Sequence, residues 1–594
     1  MHHTIARISK YSIKGLGRRV QLSYSKPNTY AMKKPHLWLA VLATWLLCIA
    51  TLQYPLMAVL IGPLSVLQRG SLIIFLGWVN FAWLYGIYQI AVLVFAAVAS
   101  RLSHSTHFAS CQGASVAVLY TTMNDFSEKA AMSCVNQNYS QFHVFLLDDS
   151  TKLEYQLKVE AFHARFPETT TIVRRESQEG FKAGNLNHAL RLISVNYEFF
   201  AICDADGVLP PDFISKTLAH FVDESIGFVQ ARQRAMTKDG VTRFAASLAV
   251  GVDVYWEHIV PPTQTFGFVL FHGHGGIIRT RIWSEIGGFP TVVAEDLAFS
   301  TRIRERGYIG VIANDVICEE EFPSSYDAFS KRQLKYARGA VEHLRAGMWS
   351  FLYSSKITWF EKIDRFLASL AMVSALPLLF FLLDLALILP IAFSLPTSQT
   401  HSISESPIPI WGLLSMDNTY LPVFTWPLAI MTIFTLLAPL APVAYHLWHS
   451  PVKFVRYVVA SVAVHLSLVI GQSWDTLVVA ATGKNFFSAT GDRTDNGQIG
   501  GSGRTIGNRR LSVIRVLGAF ILLTAAILSA NIGILPICFA TGVGIAIDKL
   551  GWEHALVRVA ILLPITVVIL LIILGCSKAV GLSGLSILAA TSSL

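Results

Sequence analysis

The chain has 594 residues, 53% of them hydrophobic and only 14% charged, with a mean hydropathy of +0.50. So little charge over such a length excludes a purely soluble enzyme and argues for several membrane spans. The seven cysteines are odd in number and lack metal-ligand spacing, which excludes a secreted disulfide scaffold, and the net charge of +9 fits Lys and Arg held on the cytoplasmic side of a membrane, with no nucleic-acid partner.

In chain order, residues 1–35 form a basic segment with Lys14, Arg18, Arg19, Lys33 and Lys34. It has no apolar core followed by a small-residue cleavage site, so no signal peptide is expected. Two apolar runs fill residues 36–100, about His36–Gly62 and Ser71–Ala99. Each can cross a ~30 Å hydrocarbon layer as a helix, which returns the chain to the cytoplasm. Residues 111–355 differ in character. Short apolar runs at Ser115–Tyr120, Gln141–Leu147, Thr170–Val173, Phe199–Cys203 and Gly227–Gln230 alternate with polar helical patterns. Such alternation predicts strand–helix units, a largely parallel sheet and one cytoplasmic α/β domain.

Residues 356–482 turn apolar again, with spans at about Phe366–Leu395 and Leu421–Trp448 joined by an external loop without Lys or Arg. The run Tyr457–Ala481 is interrupted by His465, Gln472, Trp474 and Asp475 and is followed by Lys484, Arg493, Arg504, Arg509 and Arg510. A full crossing would put those cations outside, so an interfacial or re-entrant helix is expected, with residues 483–510 as a cytoplasmic loop. Residues 511–594 hold further spans near Ser512–Ala530, Ile532–Ile547 and Glu553–Leu574. The fold class is a multi-pass α-helical membrane protein of about seven crossings with an inserted cytoplasmic α/β domain.

Within that domain three acidic sites follow one another. Asp148 and Asp149 end one apolar run, Asp204 and Asp206 end another in D-x-D form, and Glu295-Asp296 follow Gly287-Gly288-Phe289-Pro290. Ligands of open α/β sheets bind beyond the carboxyl ends of strands, so the first two clusters should face one crevice. The chemistry suiting them is transfer from a nucleotide sugar. Hard carboxylate oxygens would hold Mg²⁺ or Mn²⁺ against a diphosphate, and a separate carboxylate would take the proton of an acceptor hydroxyl.

With these motifs the chain resembles the processive, membrane-embedded glycosyltransferases of family 2, the group including bacterial cellulose, curdlan, hyaluronan and chitin synthases. The likeness runs from about Ala114 to Gly339. It implies a GT-A (Rossmann-like) fold and inversion at the anomeric carbon. It also implies nucleoside contact from Asp148 or Asp149, phosphate and metal contact from Asp204 and Asp206, and Asp296, paired with Glu295, as general base. Asn124 and Asp125 resemble the first nucleotide-binding turn, with Thr121 where the family has proline. Lys182 heads Lys-Ala-Gly-Asn-Leu-Asn, a family signature beside the donor, where lysine can pair with phosphate. His272, Gly273 and His274 resemble the loop beneath the acceptor sugar.

The family's Gln-x-x-Arg-Trp signature reads here Arg332-Gln333-Leu334-Lys335-Tyr336, anchored on Gly339. Arg332 and Lys335 can face a diphosphate and Tyr336 can stack on a sugar, although lysine lacks the bidentate fork of arginine. Phe487-Ser488-Ala489-Thr490-Gly491-Asp492 resembles the gating loop of cellulose synthase, by which Phe487 and Thr490 would close over the donor; Asp492 replaces the family lysine. The resemblance implies a plasma-membrane (bacterial inner-membrane) enzyme that takes a nucleotide sugar, UDP-glucose first among candidates. A β-linked glycan acceptor would be elongated and exported through the spans. One alternative is a non-processive enzyme adding a sugar to a lipid acceptor; another is a transporter or scaffold with an inactive transferase domain.

Overall fold

The computed structural model describes residues 33–102, 113–237, 241–384, 388, 392, 426–483 and 485. Its centre is an eight-stranded sheet of order β3-β2-β1-β4-β7-β6-β8-β5. The strands are β1 (Val116–Thr122), β2 (Phe142–Asp148), β3 (Thr170–Val173), β4 (Phe199–Asp204), β5 (Gly207–Val208), β6 (Ile226–Met236), β7 (Gly276–Arg279) and β8 (Ile309–Glu321). All five predicted strands are present. The sheet is largely parallel, as expected: six of its eight strands point one way, and β7 and β5 run against them. β3, β2, β1 and β4 run parallel, β7 opposes both β4 and β6, and β8 is parallel to β6 while opposing β5.

The apolar character of β1, β2 and β4 follows from burial on both faces. Val116, Val118 and Tyr120 of β1 pack with Val144, Leu146, Phe199 and Ala201 on one side. The alternate residues Ala117, Leu119, Phe145, Leu147, Phe200 and Ile202 pack against the Phe181–Ile193 helix on the other. With both faces covered, open space remains only at the strand ends. Register then sets the site: Thr122 lies opposite Asp148, and Thr121 opposite Asp204.

Among the described residues one helix segment, Val66–Ala96, is long and apolar enough to cross a membrane. Three bent pairs raise the number to four if each is one span. These are His36–Leu52 with Tyr54–Ile61 (63°), Trp359–Met372 with Ala375–Phe381 (66°), and Pro451–His465 with Ser467–Thr482 (42°). The last pair, expected to be interfacial or re-entrant, forms the bent helix Pro451–Thr482. The expected spans beyond residue 510 lie outside the described residues.

Glu361, fully buried, knits these layers together. It closes the capping box of the Trp359–Met372 helix with Thr358, pairs with Lys33 at 3.1 Å, and takes both Nε and Nη2 of Arg304 at 2.9 and 3.0 Å. One carboxylate thus joins the segment before the first apolar helix, the α/β domain and a membrane-proximal helix. The amphipathic Tyr326–Ala346 helix, N-capped by Ser325, packs along Pro451–Thr482. Arg338 meets Asp475 at 2.8 Å and Tyr326 meets Ser467 at 2.8 Å. Arg345 donates to the carbonyls of Val479 and Ala480 at that helix's C-terminus.

Candidate active site

A cavity of about 840 Å³ opens beyond the carboxyl ends of β1 and β4. Asp204 ends β4 and accepts from Thr121 Oγ1 at 2.7 Å and from Lys182 Nζ at 2.6 Å. Lys182 enters from the first turn of the Phe181–Ile193 helix and also donates to the Gly273 carbonyl at 2.8 Å. Burial alone would lower its pKa, but Asp204, Glu295 and Asp296 outweigh that and hold the ammonium above its ordinary range. Burial would raise Asp204, yet the Lys182 ammonium prevails and keeps it ionised.

Asp206 is the opposite case. Burial and the carboxylates of Glu320, Asp204 and Asp125 push it up to about 8. Asp125, Asp204, Asp206 and Glu320 line one cavity as hard oxygen donors, with Lys182 as the cation bonded to Asp204. That donor set fits Mg²⁺ or Mn²⁺ and is a poor match for softer ions. Asp125 sits alongside, accepting from Thr122 Oγ1 and the Met123 amide.

Glu295 and Asp296 open the Glu295–Glu305 helix on the far wall of the same cavity. Burial and the neighbouring Asp296 push Glu295 up to about 7, and burial raises Asp296 as well. Two half-buried carboxyls in sequence resist carrying two charges, so the pair takes its second charge only near neutrality. Gly273, at φ +77°, lies against them: a Cβ there would sit 3.6 Å from both Asp296 Cβ and Lys182 Nζ. Those are ordinary contacts, so it is the left-handed backbone that favours glycine between the ammonium and the Asp296 carboxyl.

The flanking histidines hold this loop in place. His272 packs on Trp256, ring centroids 4.5 Å apart, and burial drives it down to about 3, so it is neutral. His274 Nδ1 receives the Asp204 amide at 3.3 Å. Gln230, with no exposed surface, accepts from the His272 amide and donates to the His274 carbonyl, while Gln233 reaches that carbonyl too.

On the third wall Arg332 stacks over Phe322 and Phe329, 4.8 and 5.7 Å from the ring centroids, and Lys335 and Tyr336 line the space. The cavity continues to Tyr457, Ser461 and His465 of the Pro451–Thr482 helix. It thus runs from the sheet to an apolar membrane-class helix. Phe487 and Thr490 lie outside the described residues.

Two anticipated donor contacts are placed differently. The Asn124 side chain, on a residue at φ +60°, accepts from the amides of Thr151 and Lys152 and so ties the β1 and β2 loops together. Asp148 is bound by Arg174 Nε at 2.8 Å and the Ser150 amide. Neither lines the cavity, whereas Asp149 does. Asp149 is clasped by Arg175 through Nε and Nη2 at 2.9 and 2.6 Å, and Arg175 also donates to the Glu179 and Phe181 carbonyls just before Lys182. The sequence reading missed Arg174 and Arg175. Their signal was two adjacent cations directly after β3, beside the strand that ends in two acids. Arg175→Lys keeps the charge but loses the fork, and should cost about 1–2 kcal/mol in chemical denaturation; an unchanged midpoint would show that the clasp does not hold the loop.

The family model described as "Glycosyl transferase family group 2" matches residues 199–471. A "Probable glucomannan 4-beta-mannosyltransferase 7" of Oryza sativa subsp. japonica is 26% identical over 278 residues, 46% of this chain and 46% of the relative. The chain therefore matches about half the length of that curated relative. Among solved structures, the mannosyltransferase PcManGT from Pyrobaculum calidifontis, in complex with GDP-Man and Mn2+, is 20% identical with a TM-score of 0.42, covering 62% of this chain and 99% of that one. S. aureus TarS is 17% identical with a TM-score of 0.27, covering 55% and 52%.

Proposed function

We propose that the chain is a family 2 glycosyltransferase, a reading its partial matches to that family's model and to the rice relative support, and that it moves a hexose from a nucleotide sugar onto a β-linked glycan acceptor. The observation that carries this reading is the convergence of Lys182, Asp204 and the Glu295–Asp296 pair on one cavity that continues to an apolar helix. Asp296 takes the proton of the acceptor hydroxyl as its oxygen attacks the anomeric carbon. The bond from that carbon to the diphosphate breaks on the opposite face, which inverts the centre. Lys182, Arg332 and Lys335 face the departing phosphates, and Tyr336 offers an aromatic face to the sugar. Asp204 and Asp206 would hold a divalent cation, whose charge offsets that of the leaving diphosphate. Water is kept from the donor by the buried Gln230-supported loop at Gly273.

UDP-glucose is the donor we favour. The name of the rice relative, a mannosyltransferase, supports a mannosyl donor as a second reading. The extension of the cavity toward Tyr457 and His465 supports a growing chain that leaves along the Pro451–Thr482 helix, with the membrane spans as its route.

The test uses purified membranes, Mg²⁺ or Mn²⁺, and labelled UDP- and GDP-sugars, with products sized and digested by linkage-specific glycanases. One donor should give a high-molecular-weight, digestible product. Excess chelator should reduce transfer to background, and full activity in chelator would remove the metal role of Asp204 and Asp206. A short, solvent-extractable product would overturn the polymerase reading in favour of a lipid acceptor. Donor hydrolysis without transfer to any acceptor would overturn both.

A further inference from the structure

Behind the cavity wall, the helix following β6 loosens into a π-helical turn at Tyr255–Ile259. Such turns place consecutive side chains where a regular helix could not, and they cluster at functional positions. Here Trp256 turns inward against His272, while Glu257 and His258 meet His446, the last residue of the Ala441–His446 helix. His446 Nδ1 lies 3.3 Å from Glu257 Oε2 and 3.3 Å from His258 Nε2. The three candidate ligand atoms all fall within 4.8 Å of one another. The other oxygen of Glu257 is held by Arg232 at 3.1 Å, which leaves Oε2 turned toward the histidines.

Hydrogen bonding alone accounts poorly for this arrangement. A protonated His446 Nδ1 has a single hydrogen to share between Glu257 Oε2 and His258 Nε2, a three-centre bond that is weak at each acceptor. An unprotonated one can accept from His258 but then sets its lone pair against a carboxylate oxygen. Both separations are also long for such bonds. They do match the ligand–ligand edge of a tetrahedral metal site, about 3.3 Å for bonds of about 2.0–2.1 Å. We propose that Glu257, His258 and His446 bind a zinc(II)-class divalent ion, with water completing the coordination, and that the ion clamps the Ala441–His446 helix to the turn behind the cavity. Two imidazoles and one carboxylate select zinc over magnesium, so this site differs in chemistry from the all-carboxylate group at Asp204 and Asp206. Arg232 acts as the outer partner that orients the carboxylate.

The full chain in detergent or nanodiscs would be stripped with chelator, supplied with excess Mg²⁺, and titrated with ZnCl₂ while bound zinc is counted by mass spectrometry. Wild type should retain one equivalent, Asp206→Asn should also retain it, and His446→Ala and Glu257→Gln should lose it. Cobalt(II) in place of zinc should show visible d–d bands of tetrahedral strength in wild type only, displaced by zinc and not by magnesium. Failure of wild type to retain zinc, or equal retention by His446→Ala, overturns the site, as does loss of zinc in Asp206→Asn alone. Where a variant does not fold, the wild-type cobalt spectrum decides: bands displaced by zinc support the clamp, and their absence overturns it.

Discussion

Asp296→Asn should lower kcat by about 10²–10⁴-fold while changing donor affinity by less than about twofold. The amide has nearly the shape of the carboxylate and can still face the Leu297 amide, from which Asp296 Oδ1 now accepts at 2.7 Å. It cannot receive a proton from an acceptor hydroxyl. Transfer is read with the labelled donor and acceptor, binding with the donor alone, and normal turnover would remove Asp296 as the base. Glu295→Gln separates the two acids. Glu295, pushed up to about 7 by burial and by Asp296, is protonated below that pH and ionised above it. The glutamine variant should keep transfer, and its rate profile should lack the inflection near 7. An inactive Glu295→Gln beside an active Asp296→Asn would exchange their roles.

Arg338→Ala should be strongly destabilising. Arg338 is 2% exposed and its partner Asp475, 2.8 Å away, is 7% exposed by side chain. Removing the guanidinium takes from a buried carboxylate the cation 2.8 Å away, at a cost of about 3–5 kcal/mol. The pair joins the Tyr326–Ala346 helix to Pro451–Thr482, so Arg332, Lys335 and Tyr336 lose their support together. Donor affinity should weaken along with the unfolding midpoint in detergent. Adding Asp475→Asn should recover much of the loss, because it removes the stranded charge. Equal midpoints for wild type and Arg338→Ala would show that the bridge contributes nothing.

Strands buried on both faces were legible because a short run that stays apolar at successive positions is what burial from two sides demands, and β1, β2, β3 and β4 appear within a residue or two of expectation. β7 and β8 were not read. β7 is four residues long behind a glycine-rich loop, and β8 is broken by Asn314-Asp315 and ends in Glu319-Glu320-Glu321, so neither shows a clean alternation. The reversed strand β7, inserted between β4 and β6, was therefore not foreseen. The acids were visible because strand ends fix where they lie. What those acids hold was not: whether Asp148 faces a ligand or Arg174 depends on β3 lying beside β2, a pairing between residues 26 apart in sequence. Asn124 looked like a ligand for the same reason, since nothing local reveals that its amide is spent on the next loop.

Gly339 shows a different kind of dependence. A methyl group there would come within 2.8 Å of the Ala294 side chain, one residue before the acid pair. Genetic searches for essential positions usually weigh reactive side chains, and this one has none. Loss of activity at position 339 would leave every reacting group chemically intact and only displaced. A side chain there forces Ala294, and the acid pair after it, to shift, so position 339 answers to bulk even where the sugar, the linkage or the acceptor is free to change.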